Sequence, residues 1–384
     1  MKYKLSFLYC IIAFTLLSCH KDNDTPVTAK HTIVAYMMVD GLDSYIKENI
    51  KDMITISKEL PAYENILTFL DYSGKESYIL KITQGKVDTV MNYRTNLINS
   101  DPEVMADVLQ WCYTNYPADN YGLVIGSHGS SWMFSNDTIP VKDKKTAIGI
   151  RYGNDKAINI PTLAKVLKQV PHQQFILFDL CAAQSIETAY EIKSSTDYII
   201  ASAAEIPDSG AQFKVILPYM LKDNPVEIGR QYYEYYAKKN PDTKPPISVV
   251  KTAEIDNLAQ KTKQFLHNIA DEFPANISLY GLIYYFTTNI GGYETPICYD
   301  MNNIMLKFLP EDDYKAWKAQ FDNVVVYKGK SSNWMTVYPI DFNSFNVTDD
   351  TFGGVSMFVP STKYSSSSLN ADYEKTMWYN AVYK

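Results

Sequence analysis

The runs Tyr-Gly-Leu-Val-Ile-Gly at residues 121–126 and Gln-Phe-Ile-Leu-Phe at residues 174–178 are apolar without interruption at their centres. Strands with one exposed face alternate polar and apolar residues, so unbroken runs are typical of strands covered on both faces of a parallel sheet. Comparable runs occur at residues 33–39, 65–71 and 198–202. Helix-like segments separate most of them, and strand-helix-strand repeats predict a mostly parallel central sheet flanked by helices, an α/β fold.

The segments between these runs carry helix and hairpin signals. Residues 43–60 place apolar side chains at helical spacing among Lys and Glu. Asp101 followed by Pro102 predicts a capped helix that continues to about residue 113. Shorter helices are predicted over residues 161–170 and 185–192, and a hairpin over residues 78–91.

The strand-helix-strand pattern of the sequence ends near residue 225. We predict an α/β core over residues 31–224 and a smaller C-terminal α+β region over residues 225–384. That region opens with helix-like segments at 226–239 and 256–272 and continues into Tyr- and Asn-rich sequence. Residues 353–360, Gly-Gly-Val-Ser-Met-Phe-Val-Pro, predict a late strand, with a return to the main sheet as one option.

Composition limits the classes of function. The chain has 384 residues, of which 46% are apolar and 21% charged, and a formal net charge of −7. Disorder is excluded, and the lack of excess Lys and Arg argues against a nucleic-acid partner. Five Cys without a C-x-x-C pair give no metal-ligand spacing, so no metal site is predicted.

The first residues indicate export and anchoring. Residues 1–18 combine a positive start with an apolar stretch too short to span a membrane, and Leu16-Leu17-Ser18-Cys19 resembles a bacterial lipobox. A lipoprotein signal peptide cleaved before Cys19 would leave a lipid on that sulfur. An ordinary secretory signal with a chance Cys is the alternative.

Residues 19–30 are polar and predict a flexible tether. The acid-rich start of this tether is similar to the surface-export tag of Bacteroidetes lipoproteins. We therefore expect a protein anchored by lipid in the cell envelope, at the outer membrane, with surface exposure left open.

Two reactive side chains follow the strand runs: His128 comes after residues 121–126, and Cys181 after residues 174–178. In open α/β sheets, ligands bind beyond the carboxyl ends of the strands, so both side chains would project into one crevice if the strands are neighbours. An imidazole that accepts the thiol proton supplies the thiolate needed for nucleophilic catalysis.

Three segments together resemble clostripain-like (C11-type) cysteine peptidases of the caspase-like clan. They are residues 121–132, Tyr-Gly-Leu-Val-Ile-Gly-Ser-His-Gly-Ser-Ser-Trp, then Phe178-Asp179-Leu180-Cys181, and Glu187-x-Ala189-Tyr190-Glu191. The resemblance covers about residues 31–220 and extends weakly to 353–360. It implies a caspase-like fold and an endopeptidase that cleaves proteins or peptides after Arg or Lys through a thioester acyl-enzyme.

The resemblance also implies roles for matching positions. His128 is the general base and later acid, Cys181 is the nucleophile, and the N–H groups of Gly129 and Cys181 form the oxyanion hole. Asp179 would bind the cationic P1 side chain.

A second acid is expected after the next strand, with Asp208 preferred over Glu205. The alternative for Asp179 is a structural carboxylate that accepts backbone N–H bonds.

The chain also departs from the family pattern. Ser130 and Ser131 replace glycines that commonly follow the catalytic His, and Ala182 and Ala183 follow the Cys. Family members often cut themselves between the His and Cys segments, and the lysines within residues 140–147 make this loop a candidate for self-cleavage. A solvated loop is the alternative.

No cofactor is predicted. Calcium enters by family analogy only, because no loop has an EF-hand pattern. The sequence leaves the oligomeric state open.

A second reading is a catalytically inactive or non-peptidase surface lipoprotein that binds polysaccharide or protein. Trp132, Trp334 and the Tyr clusters at 232–236 and 284–285 would suit such a surface, although core packing also uses aromatic residues.

Overall fold

The structure is a computed structural model that describes residues 29–38, 41–71, 76–95, 97, 101–134, 149–152, 156–268, 278–337 and 341–384. The predicted signal peptide, Cys19, residues 19–28 of the predicted tether and the 140–147 loop lie outside the described residues. Within the described ranges, none of the helices is both long and apolar enough to cross a bilayer.

The strands of the described residues are β1 (Ala29–Met38), β2 (Asn65–Asp71), β3 (Tyr78–Thr83), β4 (Lys86–Asn92), β5 (Ala118–Gly126), β6 (His128–Ser130), β7 (Gly149–Tyr152), β8 (Lys156–Ile158), β9 (Gln173–Asp179), β10 (Thr196–Ser202), β11 (Ile247–Lys251), β12 (Tyr284–Ile290), β13 (Tyr293–Asp300), β14 (Val325–Lys328), β15 (Asn333–Val337), β16 (Asp341–Ser344) and β17 (Ser356–Met357). The α-helices are α1 (Asp43–Ser57), α2 (Pro102–Asn115), α3 (Ile160–Leu167), α4 (Ile186–Ile192), α5 (Phe213–Met220), α6 (Pro225–Lys239), α7 (Ile255–Asn268), α8 (Met301–Phe308), α9 (Glu311–Val324), α10 (Leu369–Tyr373) and α11 (Met377–Tyr383).

A nine-stranded sheet in the order β14-β11-β10-β9-β5-β1-β2-β3-β4 forms the centre. Its five middle strands, β10, β9, β5, β1 and β2, are mutually parallel. Antiparallel pairs extend it at both edges. The predicted mostly parallel sheet flanked by helices is therefore confirmed.

The apolar runs explain why the parallel strands lie in the middle. Residues 123–125 of β5 and 175–178 of β9 are buried, and their side chains alternate between two hydrophobic clusters on opposite faces of the sheet. One cluster includes side chains of α2, α3 and α4, and the other includes side chains of α1, α5 and α6. A strand covered by helices on both faces needs no polar positions.

The predicted helix starts are also confirmed. The Asp101 side chain accepts a hydrogen bond from Glu103 N at 2.9 Å, and the Ser185 side chain accepts one from Thr188 N at 3.1 Å. These caps satisfy N–H groups that the first turn of a helix leaves unpaired. Helix ends differ by a few residues: α1 ends at Ser57 and α3 at Leu167.

The structure corrects the predicted boundary at residue 225. Strands β11 and β14 come from beyond that residue yet complete one edge of the main sheet. The predicted late strand over 353–360 is a strand only at residues 356–357. It belongs to a separate three-stranded sheet with β12 and β13, and a bridge to Ser185 connects it to the core.

The other end of the predicted core also shifts. Ala29 and Lys30, the last two residues of the predicted tether, already belong to β1. Ala29 pairs in register with Ala118 of the neighbouring β5, so the sheet begins before the expected residue 31.

Candidate active site

The carboxyl ends of β5 and β9 lie side by side. Gly126 is opposite Asp179 in the parallel register, and Ser127 N–H donates to the Asp179 carbonyl at 3.3 Å. The segments that carry His128 and Cys181 therefore leave the sheet from neighbouring strands at the same edge, which meets the condition that the sequence left open.

Gly129 allows these two segments to approach closely. A side-chain carbon at this position would overlap the Leu180 side chain and the Cys181 carbonyl oxygen, and would lie 3.3 Å from Cys181 N. Gly129 belongs to the short strand β6, where it is opposite Ile150 of β7. The backbone next to the imidazole thus packs directly on the backbone of the thiol residue.

Most of the predicted site residues line one cavity at this edge of the sheet. Its lining includes His128, Cys181, Asp179 and Asp208. The cavity holds about 30 Å³ of space for water-sized molecules, which corresponds to about one water. The imidazole, the thiol and two carboxylates therefore line one partly open cavity, whereas Glu205 is not among the lining residues.

The Cys181 thiol has close backbone neighbours. Ile206 N–H donates to Sγ at 3.4 Å, and Sγ donates to the Ile206 carbonyl at 3.9 Å. Burial raises the pKa of the Cys181 thiol well above its ordinary value, and the negative charge and hydrogen bond of Glu205 raise this pKa further. The resting thiol is therefore protonated at neutral pH, and a base must remove its proton before it can attack.

The turn that carries Cys181 is fixed in a left-handed conformation. Ala182 has φ of +53°, a region that costs energy for a residue with a side chain. Ala182 N–H donates to Ala204 O at 2.9 Å, and Gln184 N–H donates to Ser202 O at 2.9 Å. Hydrogen bonds on both sides of the turn hold it in this conformation.

The region beyond residue 225 also holds this turn. The Gln184 side chain donates to Ser248 O at 3.1 Å on β11, and Ser356 N–H donates to Gln184 O at 2.9 Å. On the adjoining helix, Glu187 accepts Phe358 N–H at 2.8 Å. The turn that carries Cys181 is therefore held by residues from both sequence regions.

Asp179 is only 6% exposed and is one of the lining residues of the cavity. Its Oδ1 accepts Ala211 N–H at 2.8 Å and Tyr232 O–H at 2.9 Å. Burial raises the pKa of Asp179, and these two donors act against that rise. The structural alternative considered from the sequence is thus partly realised at Oδ1, while the residue still faces the cavity.

The two candidates for the second acid occupy different places. Asp208 is exposed and lines the cavity. Glu205 is half-buried, its charge raises the pKa of the Cys181 thiol, and burial raises the pKa of its own carboxyl. Asp208 is therefore the better placed of the two for contact with a substrate cation.

Sequence reasoning missed Tyr232, which holds Asp179. Its helix α6 was assigned to a separate region, and the Tyr cluster was considered for a binding surface. Trp132, Trp334, Tyr232, Tyr236 and Tyr285 are instead almost fully buried. Most of the aromatic residues offered for surface binding are therefore core residues.

Tyr233, Tyr235 and Tyr284 are partly exposed, and Tyr284 lines a second, open cleft. This cleft has about 670 Å³ of accessible space, and its lining includes Tyr280, Tyr299, Phe345 and Lys363. It is formed by the C-terminal part of the chain and shares no lining residue with the His128 and Cys181 cavity.

Cysteines and possible metal ligands were also located. Cys112, Cys181 and Cys298 are all free thiols, and Cys112 and Cys298 are buried. Across the ranges that the structure describes, no group of three or more His, Cys, Asp or Glu side chains is arranged to bind a metal ion.

An imidazole and a thiol at the ends of adjacent parallel strands, above a buried carboxylate, form the layout of a caspase-like cysteine peptidase. The family model described as Peptidase_C11, clostripain family, matches residues 35–384. The chain belongs to the clostripain family.

Individual relatives agree with this assignment. Clostripain of Hathewaya histolytica is 23% identical in an alignment of 223 residues that covers 49% of this chain and 41% of clostripain. The chain thus spans about two fifths of the length of that relative.

Two solved structures are similar over nearly the whole chain. A secreted C11 cysteine protease from Bacteroides thetaiotaomicron, in complex with an irreversible peptide inhibitor, has a TM-score of 0.78 at 26% identity, covering 92% of this chain and 99% of that one. An inactive zymogen C11 protease from Parabacteroides distasonis has a TM-score of 0.78 at 26% identity, covering 94% and 99%.

Proposed function

We propose that the protein is a cysteine endopeptidase that cleaves peptide bonds after Arg or Lys. The observation that carries this proposal is the single cavity in which His128, Cys181 and Asp179 meet. Family membership supports peptide or protein substrates, and the peptide inhibitor bound by the Bacteroides thetaiotaomicron relative agrees with them.

The proposed reaction begins with transfer of the Cys181 proton to His128. The thiolate attacks the carbonyl carbon, and the N–H groups of Gly129 and Cys181 stabilise the resulting oxyanion. His128 then gives its proton to the leaving amine, which leaves a thioester on Cys181. A water molecule deprotonated by His128 hydrolyses the thioester and regenerates the thiol.

The preference for a basic P1 residue is proposed from charge. Asp179 and Asp208 both line the cavity next to Cys181, so a substrate cation there would lie between two acidic groups. A buried carboxylate that is paired with a cation recovers much of its desolvation cost, whereas an apolar P1 side chain would leave Asp179 without a cation.

Self-processing in the 140–147 loop is part of the proposal. Strand β6 carries His128 and pairs with β7 across the segment that contains the loop. A cut in that segment would release the connection between these strands, and the similarity to an inactive zymogen agrees with such a step.

We also propose that Cys19 carries the lipid anchor at the outer membrane. The supporting observation is the apolar stretch that ends in Leu-Leu-Ser-Cys, followed by a polar segment. Mass measurement of the protein from membranes of an expressing bacterium tests this: a mature chain beginning at lipid-modified Cys19 supports the anchor, and an unmodified Cys19 contradicts it.

Turnover of fluorogenic peptides tests the main proposal. The chain without residues 1–18 is incubated with otherwise identical peptides that end in Lys, Arg or Asp at P1. We expect the Lys and Arg peptides to be cleaved, no cleavage after Asp, and no turnover by Cys181→Ala. Cys112→Ala is the matched control because Cys112 is a buried free thiol elsewhere in the fold.

Turnover that survives in Cys181→Ala would exclude this thiol as the nucleophile. A wild-type protein that cleaves none of the peptides, before or after limited cleavage within residues 140–147, would instead favour the inactive or binding lipoprotein, for which the cleft around Tyr284 is the available surface. Mass spectrometry of the same sample shows whether the loop is cut after a lysine.

A further inference from the structure

Helix α6 packs against the candidate S1 pocket, the site for the P1 side chain, and contacts it through two buried tyrosines. Tyr232 donates its hydroxyl hydrogen to Asp179 Oδ1 at 2.9 Å. One turn later, Tyr236 donates to Gly210 O at 2.7 Å, and its hydroxyl lies 2.8 Å from Ser209 Oγ. The first tyrosine therefore contacts the buried acid, and the second contacts the loop that carries Asp208.

The two oxygens of Asp179 are in different situations. Oδ1 accepts both Ala211 N–H and Tyr232 O–H, which together use its two lone pairs. Oδ2 accepts no hydrogen bond from the described residues. A side-chain carbon at residue 210 would overlap Oδ2, and Gly210 has φ of +55°, so a glycine here keeps Oδ2 uncovered.

We propose that Tyr232 is a specificity-determining positioning residue that favours Lys over Arg at P1, by occupying Oδ1 of Asp179 and leaving Oδ2 alone for the substrate cation. This inference rests on the proposed cleavage after basic residues. It adds the choice between the two basic side chains, which charge by itself does not make.

The reason is the shape of the two cations. A guanidinium binds a carboxylate best through two parallel N–H···O bonds, one to each oxygen. An ammonium is a compact charge whose donors rotate, so one carboxylate oxygen satisfies it. With Oδ1 saturated, Arg loses its two-point geometry at Asp179 and Lys loses nothing.

The same geometry explains why Tyr232 acts through Asp179. Its hydroxyl is buried and already donates to Oδ1, so it orients the carboxylate without contacting the substrate. Substitution by Phe keeps the ring that packs in the core and removes only the donor. One lone pair of Oδ1 then becomes available to a second guanidinium N–H.

The test is the ratio of kcat/KM for matched Lys and Arg peptides in wild type, Tyr232→Phe and Tyr235→Phe. Tyr235 is on the same helix, packs edge-on to Tyr236 and has no hydrogen bond to Asp179, which makes it the matched control. We expect wild type to prefer Lys. Tyr232→Phe should shift the ratio toward Arg by about tenfold, the size of one hydrogen bond to a charged group, and Tyr235→Phe should leave it unchanged.

Thermal unfolding of the three proteins is measured alongside, so that loss of fold is separated from loss of selectivity. An equal fall in both kcat/KM values with Tyr232→Phe would show a merely structural role and overturn the inference, as would a wild-type preference for Arg. Failure of wild type to cleave after either residue would overturn the proposed function itself. The two failures are therefore distinguishable.

Discussion

The two ends of the central sheet both contain a histidine and acidic side chains, but they differ in whether a cation is paired with the acids. At the amino ends of the parallel strands, His31 Nδ1 lies 3.2 Å from Glu64 and Nε2 lies 2.8 Å from Asp223. Burial alone would raise the pKa of Asp223, but hydrogen bonds from Lys30, His31 and Gln174 lower it to about 2. Both nitrogens of the ring, and the carboxylates beside it, have partners.

At the carboxyl ends, the corresponding groups face a cavity. His128 and Cys181 line it, and burial raises the pKa values of both Cys181 and Asp179. No lysine or arginine forms an ion pair with Asp179 among the described residues. Histidine and acidic residues therefore support the structure at the amino ends of the strands, where their charges are paired. At the carboxyl ends, where Asp179 has no cation beside it, the same residue types are available for chemistry.

The largest expected effect is loss of catalysis without loss of stability at the carboxyl end. His128→Ala should lower kcat/KM by about 10⁴-fold, because a thiol with a raised pKa depends on its base. The melting temperature should stay within a few degrees of wild type. His172→Ala removes an exposed histidine paired with Asp197 and is the control. Retained turnover in His128→Ala would contradict the comparison.

Glu187 is a third kind of acid in this contrast between the two ends of the sheet. It is buried near the turn that carries Cys181, but it does not line the cavity. One carboxyl oxygen accepts Phe358 N–H, and the other has no hydrogen-bond partner among the described residues. Burial raises the pKa of Glu187 from its ordinary value of 4.5 to about 8. The folded chain therefore keeps a proton that the unfolded chain has lost at intermediate pH.

The free energy of unfolding should consequently fall as the pH rises from about 4.5 to about 8, by at most about 5 kcal/mol. Urea unfolding across this range, compared with Glu187→Gln, measures the effect. The variant should lose most of this pH dependence, and Glu59→Gln, at an exposed site, should keep it. An unchanged pH dependence in Glu187→Gln would show that Glu187 is not responsible.

At the amino ends of the parallel strands, removal of an acid should affect stability alone. Glu64→Ala leaves both the backbone N–H and the ring of buried His31 without their carboxylate. We expect a loss of about 3 kcal/mol in the free energy of unfolding, with kcat/KM of the folded protein unchanged. Asp197→Ala breaks an exposed pair with His172 and should cost less than about 1 kcal/mol. A fall in kcat/KM with Glu64→Ala would mean that the two ends are coupled.

Asp179, at the carboxyl ends of the strands, should show the converse behaviour, with an effect on substrate binding. Asp179→Asn removes the charge and should lower kcat/KM for Lys and Arg peptides by about 10²-fold, mainly through KM. In wild type, the raised pKa of Asp179 means that binding of basic peptides weakens on acidification at a higher pH than for an aspartate with the ordinary value of 3.8. Asp223→Asn, the control, should leave KM unchanged.

The parallel strands next to the site could be predicted, although not their order, because each strand depends on local pattern. The unbroken apolar runs of β5 and β9 identified buried parallel strands, and the residues after each run located His128 and Cys181. The helix caps at Asp101 and Ser185 were likewise local signals. In each case, the residues that determine the structure are close together in the sequence.

The remainder depends on contacts between distant residues, which carry no local signal. Tyr232 holds Asp179 across 53 positions of sequence, and Ser356 reaches Gln184 across 172. The edge strands β11 and β14 are short, and nothing in their sequence says which sheet they join. No role could be predicted for His31, because its partners Glu64 and Asp223 become its neighbours only after folding.

The most direct test of the central claim is covalent labelling by a lysine-terminated peptide that carries a chloromethyl ketone, followed by mass spectrometric mapping. Proton transfer from Cys181 to His128 predicts one label, on Cys181, and a labelling rate at least about 10²-fold lower in His128→Ala. A label on Cys112 or Cys298, or a rate that does not depend on His128, would contradict it.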